Sequence, residues 1–439
     1  MPETYHIDTM GCQMNERDSE TIAGVLQSLG LRPADDPCTA RVAILNTCAV
    51  REKPEHKVFS KLGDWAKLKR VRPELVIGVC GCVAQVMAEE IRARAPYVDL
   101  ILGPRNLAAL REGVRGALAD DRLPTWVTDP AEVPDDTQPV ARAPGVSAFV
   151  NVTYGCDNFC AYCVVPYARG REVSRPAADI LTEVAEVVAA GYRDVTLLGQ
   201  NVNSYRDPGD DTGFPELLRR VGETESLWRL RFTTSHPKDC SEDLLRAMAE
   251  TPTACEHLHL PIQAGDDEVL ARMGRGYTYA QYRDLVNRAR AGVPGLGLTT
   301  DVIVGFPGET EAQFEHTLAA LAEIRFDQAF MFKYSDRPGT AAKAMPDKVP
   351  EATKQARLER LVALQNDIGR EINVAQEGRV FEVLVEGRDV KSPDKWRGRT
   401  RGNKLMVFAG GEERAGRLVM VRAIRGFLWG YVGEEEANV

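Results

Sequence analysis

Short apolar runs alternate with helical stretches along the first hundred residues of the chain. The runs lie near residues 5–9, 42–46, 75–79 and 98–102, and apolar residues recur at helical spacing over 16–29, 53–69 and 84–94. Alternation of strand and helix is typical of a parallel sheet covered by helices. The pattern therefore predicts an N-terminal parallel α/β domain, which we place at residues 1–123.

Both periodicities stop between residues 124 and 145. Five prolines and several acidic residues fall in this stretch. Proline interrupts helices and strands because its ring fixes the backbone and removes a hydrogen-bond donor. We therefore expect residues 124–145 to be a linker.

Six strand candidates, with helical patterns between them, follow in residues 146–373. They lie at residues 147–152, 195–198, 230–233, 257–260, 299–304 and 329–334. Six β-α units predict a partial (β/α)6 barrel, in which the chemistry sits at the carboxyl ends of the strands. Polar or glycine-rich clusters follow those ends, including Gln200 and Asn201 after the second strand and Gly305 after the fifth.

The pattern becomes all-β in residues 374–439, with apolar runs at 379–385, 404–408, 418–421 and 427–432. A segment of this length suffices for a small five-stranded barrel of the oligonucleotide-binding (OB) kind. Its stretch 388–404 interleaves basic side chains with Trp396, which suits phosphate contacts and a stacked base. The alternative is a merely solvated loop. The basic residues are Arg388, Lys391, Lys395, Arg397, Arg399, Arg401 and Lys404.

Composition narrows the class of protein. The chain has 439 residues, of which 44% are hydrophobic, enough for several cores. It contains no apolar run of about 18 residues and no signal-peptide pattern at its start, so we expect a cytoplasmic protein with no membrane partner. Ten cysteines are then expected to stay reduced for metal or redox chemistry. The net charge of −9 does not favour nucleic acid on average, but an average hides local basic patches.

Three cysteines lie close together after the first strand of the predicted barrel. Cys156, Cys160 and Cys163 are separated by short spacers. Thiolates so close in sequence can hold one iron-sulfur cluster, and three ligands leave one iron open for another molecule. The alternative is a structural zinc knot with a further ligand elsewhere. A zinc knot, however, does not explain the barrel pattern around the motif.

A second set of cysteines follows successive strands of the N-terminal domain. Cys12, Cys48 and Cys82 each lie at a predicted carboxyl end. These ends form the ligand crevice of an open parallel sheet, so the three thiols can converge on one metal cluster. The alternative is that each is a small buried apolar residue. Cys80 competes with Cys82, which is favoured because neighbouring Gly81 permits a tight turn.

Taken together, these motifs resemble the methylthiotransferase family of radical S-adenosylmethionine (SAM) enzymes over nearly the whole chain. The resemblance rests most strongly on residues 11–15 and on residues 154–176 around the cysteine motif. Both stretches look most like the tRNA-modifying branch that acts on isopentenylated adenosine. The all-β part resembles a TRAM domain, an RNA-binding module.

The resemblance implies a division of labour between two four-iron four-sulfur (4Fe-4S) clusters. Cys156, Cys160 and Cys163 would hold the cluster that binds SAM, and Cys12, Cys48 and Cys82 would hold an auxiliary cluster that carries sulfur. One SAM would donate a methyl group, and a second would give the 5'-deoxyadenosyl radical. The implied reaction converts N6-(dimethylallyl)adenosine at position 37 of tRNA, next to the anticodon, to its 2-methylthio derivative.

The resemblance also implies partners and leaves alternatives. We expect tRNA, through its anticodon loop, an electron donor such as flavodoxin or ferredoxin, and a sulfur source, and we expect a monomer. The alternatives are the same chemistry on threonylcarbamoyl-adenosine of tRNA or on a ribosomal-protein aspartate. An alternative from another class is a non-catalytic iron-sulfur protein that binds RNA or transfers electrons.

Strand-end position and family pattern together suggest contacts to SAM. We expect Tyr162 near the adenine, Gln200 and Asn201 near the amino-acid end, and Val304 and Gly305 near the nucleoside. Basic character and position suggest contacts to RNA. These are Arg169, Arg171, Arg175, Trp396, Arg397, Arg399 and Arg401.

Overall fold

The computed structural model describes residues 3–49, 52–119, 125–411 and 413–436, apart from the side chains of residues 52–56. Its first part is a six-stranded parallel sheet in the order β2-β1-β3-β4-β5-β6. The strands are β1 (Thr4–Thr9), β2 (Arg32–Pro33), β3 (Val42–Thr47), β4 (Val76–Gly81), β5 (Leu100–Leu102) and β6 (Thr125–Val127). Strands β3 and β4 are buried along their whole length, as central strands covered on both faces are. The predicted parallel α/β domain is confirmed.

Five helices accompany this sheet: α1 (Gln13–Ser28), α2 (Glu52–Val71), α3 (Cys82–Val86), α4 (Ala88–Arg94) and α5 (Leu110–Leu118). The helix predicted over residues 84–94 is two helices, because Met87 leaves the helical backbone conformation with φ −127° and ψ 21°. Strand β6 pairs with β5 and lies inside the stretch predicted as a linker. Residues 128–146, which follow it, form no helix or strand.

The central part contains two parallel three-stranded sheets, in the orders β11-β10-β7 and β12-β13-β14. A parallel bridge between Leu230 and Ala254 connects them. Strands β7 and β14 are the two outer edges, so the six strands make an open, partial barrel, as predicted. The strands are β7 (Ser147–Asn151), β8 (Thr153–Tyr154), β9 (Val173–Ser174), β10 (Asp194–Leu198), β11 (Arg229–Phe232), β12 (His257–His259), β13 (Gly297–Val304) and β14 (Gln328–Lys333), of which β8 and β9 form a separate ribbon.

Amphipathic helices alternate with the barrel strands. In the helix after the cysteine motif's ribbon, Ile180, Val184 and Val187 bury one stripe in the barrel core. Two later helices begin with capping boxes at Thr278 and Thr310, which satisfy backbone donors that the first turn leaves unpaired. The helices are α6 (Val165–Arg169), α7 (Ala177–Ala189), α8 (Phe214–Gly222), α9 (Glu242–Glu250), α10 (Asp267–Met273), α11 (Tyr279–Gly292), α12 (Glu311–Ile324), α13 (Ala341–Ala344) and α14 (Glu351–Val374).

The C-terminal part is a closed five-stranded barrel in the order β15-β16-β17-β19-β18. The strands are β15 (Val380–Arg388), β16 (Lys395–Thr400), β17 (Leu405–Ala409), β18 (Leu418–Phe427) and β19 (Gly430–Glu435). The predicted small barrel is confirmed, but the basic stretch supplies its fifth strand, β16. Trp396, Gly398 and Thr400 are buried and alternate with half-exposed basic residues, which is the period of a strand with one face inside. No helix in the described ranges is long and apolar enough to cross a membrane.

Two buried arginines of β11 attach the C-terminal barrel to the central one. Arg231 donates to the backbone oxygens of Thr400 and Arg401, and its Nε donates to the carboxylate of Asp194 at 3.1 Å. Arg229 donates to the backbone oxygens of Arg399 and Glu382. The guanidinium groups therefore satisfy strand-end carbonyls that would otherwise be buried without donors.

We predict that Arg231→Ala loosens this junction. The substitution leaves the Asp194 carboxylate buried without its partner, which typically costs about 3–5 kcal/mol. Hydrogen exchange should show the opening free energy of β16 falling by about that amount. Arg219→Ala, which breaks a half-exposed pair with Asp243, is the matched control and should leave β16 unchanged. Unchanged exchange in the Arg231 variant would show that this contact does not hold the barrel in place.

Candidate active site

The three N-terminal cysteines converge on one cavity. Cys12 precedes α1, Cys48 follows β3, and Cys82 begins α3. All three line the same cavity of about 550 Å³, which is within the range of about 300–1,000 Å³ common for ligand sites. The backbone therefore brings the three cysteines together at the carboxyl edge of the sheet, as expected.

Two glycines allow these loops to approach one another. A Cβ on Gly11 would lie 2.7 Å from the Cβ of Cys48. Gly81 has φ +90°, and a Cβ there would lie 2.4 Å from the backbone oxygen of Thr47. A larger residue at either position would push the cysteine loops apart.

Cys80 lies elsewhere. It is fully buried on the other side of the sheet, in an apolar cluster with Val42, Ile44 and Leu100, and burial raises the pKa of its thiol to about 12. The cavity is lined by Cys82 and not by Cys80. The geometry therefore favours Cys82 as the third member of the set.

Two asparagines that sequence reasoning missed hold the loops in place. Asn15 Nδ2 donates to Asn46 Oδ1 at 3.1 Å and to the backbone oxygen of Thr47 at 2.9 Å. Asn46 Nδ2 donates back to the oxygen of Asn15 at 2.8 Å. Both side chains are buried near cysteines. The sequence did contain a signal for this role, because Asn15 lies three positions from Cys12 and Asn46 lies two positions from Cys48.

The electrostatic environment favours the thiolate of Cys12. A hydrogen bond with Cys48 lowers the pKa of Cys12 to about 6, and the positive charge of Arg169 acts in the same direction. Burial raises the pKa of Cys82, and Arg169 opposes that rise. Because the thiolate is the form that binds metal, this cation suits a metal-binding set.

The second cysteine group lies in the loop between β8 and α6. Cys163 N donates to the backbone oxygen of Cys160 at 2.9 Å, closing a tight turn. Arg275 Nη1 donates to the sulfur of Cys160 at 3.3 Å. Burial raises the pKa of Cys156 to about 11 and that of Cys163 to about 12, so their thiolates need a bound cation or metal to form at neutral pH.

The donor sets have the chemistry of iron-sulfur cluster ligands. Within the part of the chain that the structure describes, no three His, Cys, Asp or Glu side chains lie close enough together to ligate one metal ion. A single zinc ion needs its ligands closer together than a cluster does. In a 4Fe-4S cluster each thiolate binds a different iron, so the sulfurs stand farther apart. Two groups of three thiols are compatible with that chemistry.

A short helix connects the two cysteine groups. Helix α6 begins just after Cys163 and packs against α3, which begins with Cys82. Val164 and Ala168 belong to the same buried apolar cluster as Cys82. At the end of α6, Arg169 Nη2 lies 2.7 Å from the carboxylate of Asp18 on α1, and both side chains are buried. Apolar packing and a buried ion pair thus join the two thiol-bearing domains.

Three of the residues predicted to contact SAM have polar groups, and two of them keep atoms without a hydrogen-bond partner among the described residues. Tyr162 is half-buried with its hydroxyl 3.4 Å from Arg275. Gln200 lines the cavity and accepts from Gly155 N, while its buried Nε2 has no hydrogen-bond partner among the described residues. Asn201 Nδ2 donates to Asp239 at 2.7 Å, and its buried Oδ1 has no partner in the part of the chain that the structure describes. The unpaired atoms of Gln200 and Asn201 are groups that a ligand can satisfy.

The other two predicted SAM contacts pack against protein. Val304 is fully buried. Gly305 has φ +73° and donates its N–H to Glu309, and a Cβ there would lie 2.4 Å from Cγ of Lys354. Glycine is therefore required at 305 by the close approach of α14. A contact of either residue with SAM stays a prediction.

Three of the residues predicted to bind RNA are buried. Trp396 is 1% exposed in the core of the C-terminal barrel, so its ring is not available to stack on a base. Arg175 is buried in ion pairs with Glu183 and Asp136. Arg169 lies in the cavity beside the first cysteine group. Sequence reasoning placed these residues on the surface because it could not see which face of each element is covered.

The remaining residues of that set are at least partly exposed. Arg171 is 74% exposed beside Asp157. Arg397 and Arg399 are half-exposed next to Glu386. Arg401 is held in the domain junction by three hydrogen bonds to the carboxylate of Glu256, so its guanidinium is engaged by protein and less available to RNA.

Comparison with known proteins gives matches to all three parts of the chain. The Radical SAM superfamily matches residues 150–321, the Uncharacterized protein family UPF0004 matches residues 4–103, and the TRAM domain matches residues 374–426. A tRNA-2-methylthio-N(6)-dimethylallyladenosine synthase of Carboxydothermus hydrogenoformans is 49% identical over 97% of this chain and 98% of its own. The synthase of the same name from Moorella thermoacetica is 50% identical over 98% of both chains.

Solved structures show a similar fold at low sequence identity. The radical S-adenosylmethionine methyltransferase TsrM from Kitasatospora setae superposes with a TM-score of 0.56 at 15% identity, covering 78% of this chain and 77% of its own. The cobalamin-dependent radical enzyme OxsB gives a TM-score of 0.51 at 12% identity, covering 84% of this chain and 56% of its own. These likenesses concern the fold alone.

We predict that Asp18→Asn loosens the contact between the two cysteine-bearing domains. The change leaves the guanidinium of Arg169 buried without its carboxylate, and breaking a buried pair in this way typically costs about 3–5 kcal/mol. Hydrogen exchange of anaerobic protein should show α6 opening more readily by that amount. Glu112→Gln removes an exposed pair with Arg115 in the same domain and should change nothing at α6. Equal protection of α6 in both variants would contradict the prediction.

Proposed function

This chain belongs to the tRNA-2-methylthio-N(6)-dimethylallyladenosine synthase family, and on that premise we infer that it is a radical-SAM methylthiotransferase acting on tRNA. The reaction converts N6-(dimethylallyl)adenosine at position 37, next to the anticodon, to its 2-methylthio derivative. The observation that carries this conclusion is the packing of α6, which follows Cys163, on α3, which begins with Cys82, because it joins the segments that bear the two cysteine groups. The relatives do not favour threonylcarbamoyl-adenosine or a protein aspartate as the substrate.

The reaction requires cofactors because no side chain can do the central step. An aromatic C2–H is far too weak an acid for a carboxylate or an imidazole to deprotonate. The cofactors are SAM and 4Fe-4S clusters. When bound, the clusters supply the electron that splits SAM and the sulfur that is transferred.

We assign the ligands by the two groups that the fold brings together. Cys156, Cys160 and Cys163 would hold the cluster that binds SAM. The auxiliary cluster would be held by Cys12, Cys48 and Cys82. Arg275 donates a hydrogen bond to the sulfur of Cys160, and the positive charge of Arg169 favours the thiolates of Cys12 and Cys82. The unpaired Nε2 of Gln200 is a donor suited to the carboxylate of SAM.

Three domains and several partners complete the proposed enzyme. We retain residues 1–123, 146–373 and 374–439 as three domains joined by the linker 124–145, within which β6 extends the first sheet. The protein would work in the cytoplasm as a monomer, with electrons from a flavodoxin or ferredoxin and sulfur from an external source. The partly exposed Arg171, Arg397 and Arg399 are the remaining candidates for phosphate contacts.

We predict that the two cysteine groups have separable roles. Cys156→Ala should abolish formation of 5'-deoxyadenosine from SAM, because the cluster that binds SAM loses a ligand. Cys48→Ala should keep that activity but give no 2-methylthio product, measured by mass spectrometry of digested tRNA. Iron analysis of anaerobic protein should give about eight irons in the unaltered chain and about four in each variant. Equal loss of SAM cleavage in both variants would argue against separate roles.

We predict that the exposed arginines of β16 contribute to RNA affinity without sequence preference. The double variant Arg397→Gln with Arg399→Gln should bind tRNA more weakly and lower the slope of log affinity against log salt by about two, roughly one for each phosphate that is no longer neutralised. The double variant Arg111→Gln with Arg115→Gln carries the same change in charge on α5 and is the control. A salt slope equal to that of the control would remove β16 from the contact surface.

A further inference from the structure

The cavity continues into the interior of the central barrel, where two walls differ in chemistry. Edge strands β7 and β14 present Phe149, Phe330 and Phe332 to it. Strands β12 and β13 present a polar set instead. Alternate residues of each strand share a face, so both walls follow from the period of two. The polar set comprises His257, His259, Thr299 and Asp301.

The aromatic wall is open. Phe330 is 43% exposed although it lines the cavity, and its ring meets that of His259 edge to face, at 5.9 Å between centroids. A large apolar side chain inside a barrel is normally covered by neighbours. An uncovered phenyl ring on a cavity wall is an apolar surface available to a ligand.

The polar wall is an ordered chain of hydrogen-bonding groups. Thr299 Oγ1 lies 3.2 Å from Nε2 of His257 and 3.0 Å from Nδ1 of His259. Nε2 of His259 lies 3.4 Å from a carboxylate oxygen of Asp301. His259 contacts one oxygen of the Asp301 carboxylate. A carboxylate has several lone pairs, so it can also accept a hydrogen bond from a ligand.

The far end of this interior is bordered by the C-terminal barrel. Asn403, in the turn between β16 and β17, lines the same cavity. A Cβ on Gly297, at the start of β13, would lie 2.9 Å from the oxygen of Gly402. We therefore expect a ligand to enter from the opposite end, which carries Cys12, Cys48 and Cys82.

The charge of the cavity excludes one class of ligand. Apart from histidines, the charged residues that line it are Glu16, Arg169 and Asp301. Arg169 is already paired with Asp18. A carboxylate placed deep in the barrel would meet Asp301 and no unpaired cation among these lining residues, which is unfavourable in a desolvated site.

We propose that this two-walled interior is the pocket that selects the N6 substituent of the adenosine. The dimethylallyl group lies against Phe330 and Phe332, and the N6–H donates to the carboxylate of Asp301. C2 and C6 are both atoms of the six-membered ring of adenine, and C6 bears N6. The dimethylallyl group on N6 can therefore enter the barrel while C2 remains near the cysteine groups. An N6 substituent that carries a carboxylate, as in threonylcarbamoyl-adenosine, is rejected by Asp301. This proposal rests on the proposed function and names the residues that determine its specificity.

The test compares anticodon stem-loop RNAs that differ only at N6. Fluorescence anisotropy on anaerobic, cluster-loaded protein gives affinities for RNA with N6-(dimethylallyl)adenosine and with unmodified adenosine. The preference is the ratio of the affinity for the modified RNA to that for the unmodified RNA. We expect Phe330→Ala to lower this ratio by about ten- to hundredfold, and Phe330→Leu to keep most of it. Iron content and the thermal unfolding midpoint of both variants should match those of the unaltered chain, which shows that the fold and the clusters are intact.

Met331→Ala is the matched control because Met331 is on the same strand but packs against the outer core. It should leave the preference unchanged. Asp301→Asn should raise affinity for RNA bearing threonylcarbamoyl-adenosine, since the repulsion is removed. An unaltered preference in Phe330→Ala overturns this proposal while product formation by the unaltered chain upholds the proposed function. Absence of 2-methylthio product with the unaltered chain would instead overturn the function itself.

Discussion

The structure depends on the contact that holds two thiol-bearing domains against each other. Helix α6, which follows Cys163, packs on α3, which begins with Cys82, and the Asp18–Arg169 pair closes the same junction. Apolar packing gives this contact its strength, whereas the ion pair gives it one orientation, because a displaced partner would leave a charge buried alone. Transfer of sulfur to a carbon atom needs such fixed geometry, since the reacting groups must meet within one cavity.

Buried charges recur where the first domain and the barrel meet. Burial alone would raise the pKa of Glu183, but Arg17 and Arg175 lower it to about 2. Arg17 comes from α1, and Arg175 follows the cysteine motif. Arg169 belongs to the same stretch of chain as Arg175, so both arginines help to assemble the domains. The stretch 169–175 therefore combines structure with chemistry, and of its three arginines only Arg171 is left facing solvent.

Periodicity predicted the three-part fold and all six barrel strands, because each element has a clear inner face. It failed at β16, where basic residues on the outer face hid the alternation of Trp396, Gly398 and Thr400 inside. It also missed Asn15 and Asn46, whose partners come from distant loops. Cysteine spacing and strand-end position indicated both thiol groups, but the choice of Cys82 over Cys80 needed the direction of each side chain. The open Phe330 ring could not be foreseen, since apolar residues in strands are usually covered.

The most direct test of the account is electron paramagnetic resonance of reduced, anaerobic full-length protein. If both cysteine groups hold clusters on either side of the contact between α3 and α6, their unpaired spins must interact. We predict a spectrum broadened relative to that of Cys48→Ala, which retains the SAM-binding cluster alone. A spectrum equal to the sum of two independent, unbroadened clusters would contradict a shared site.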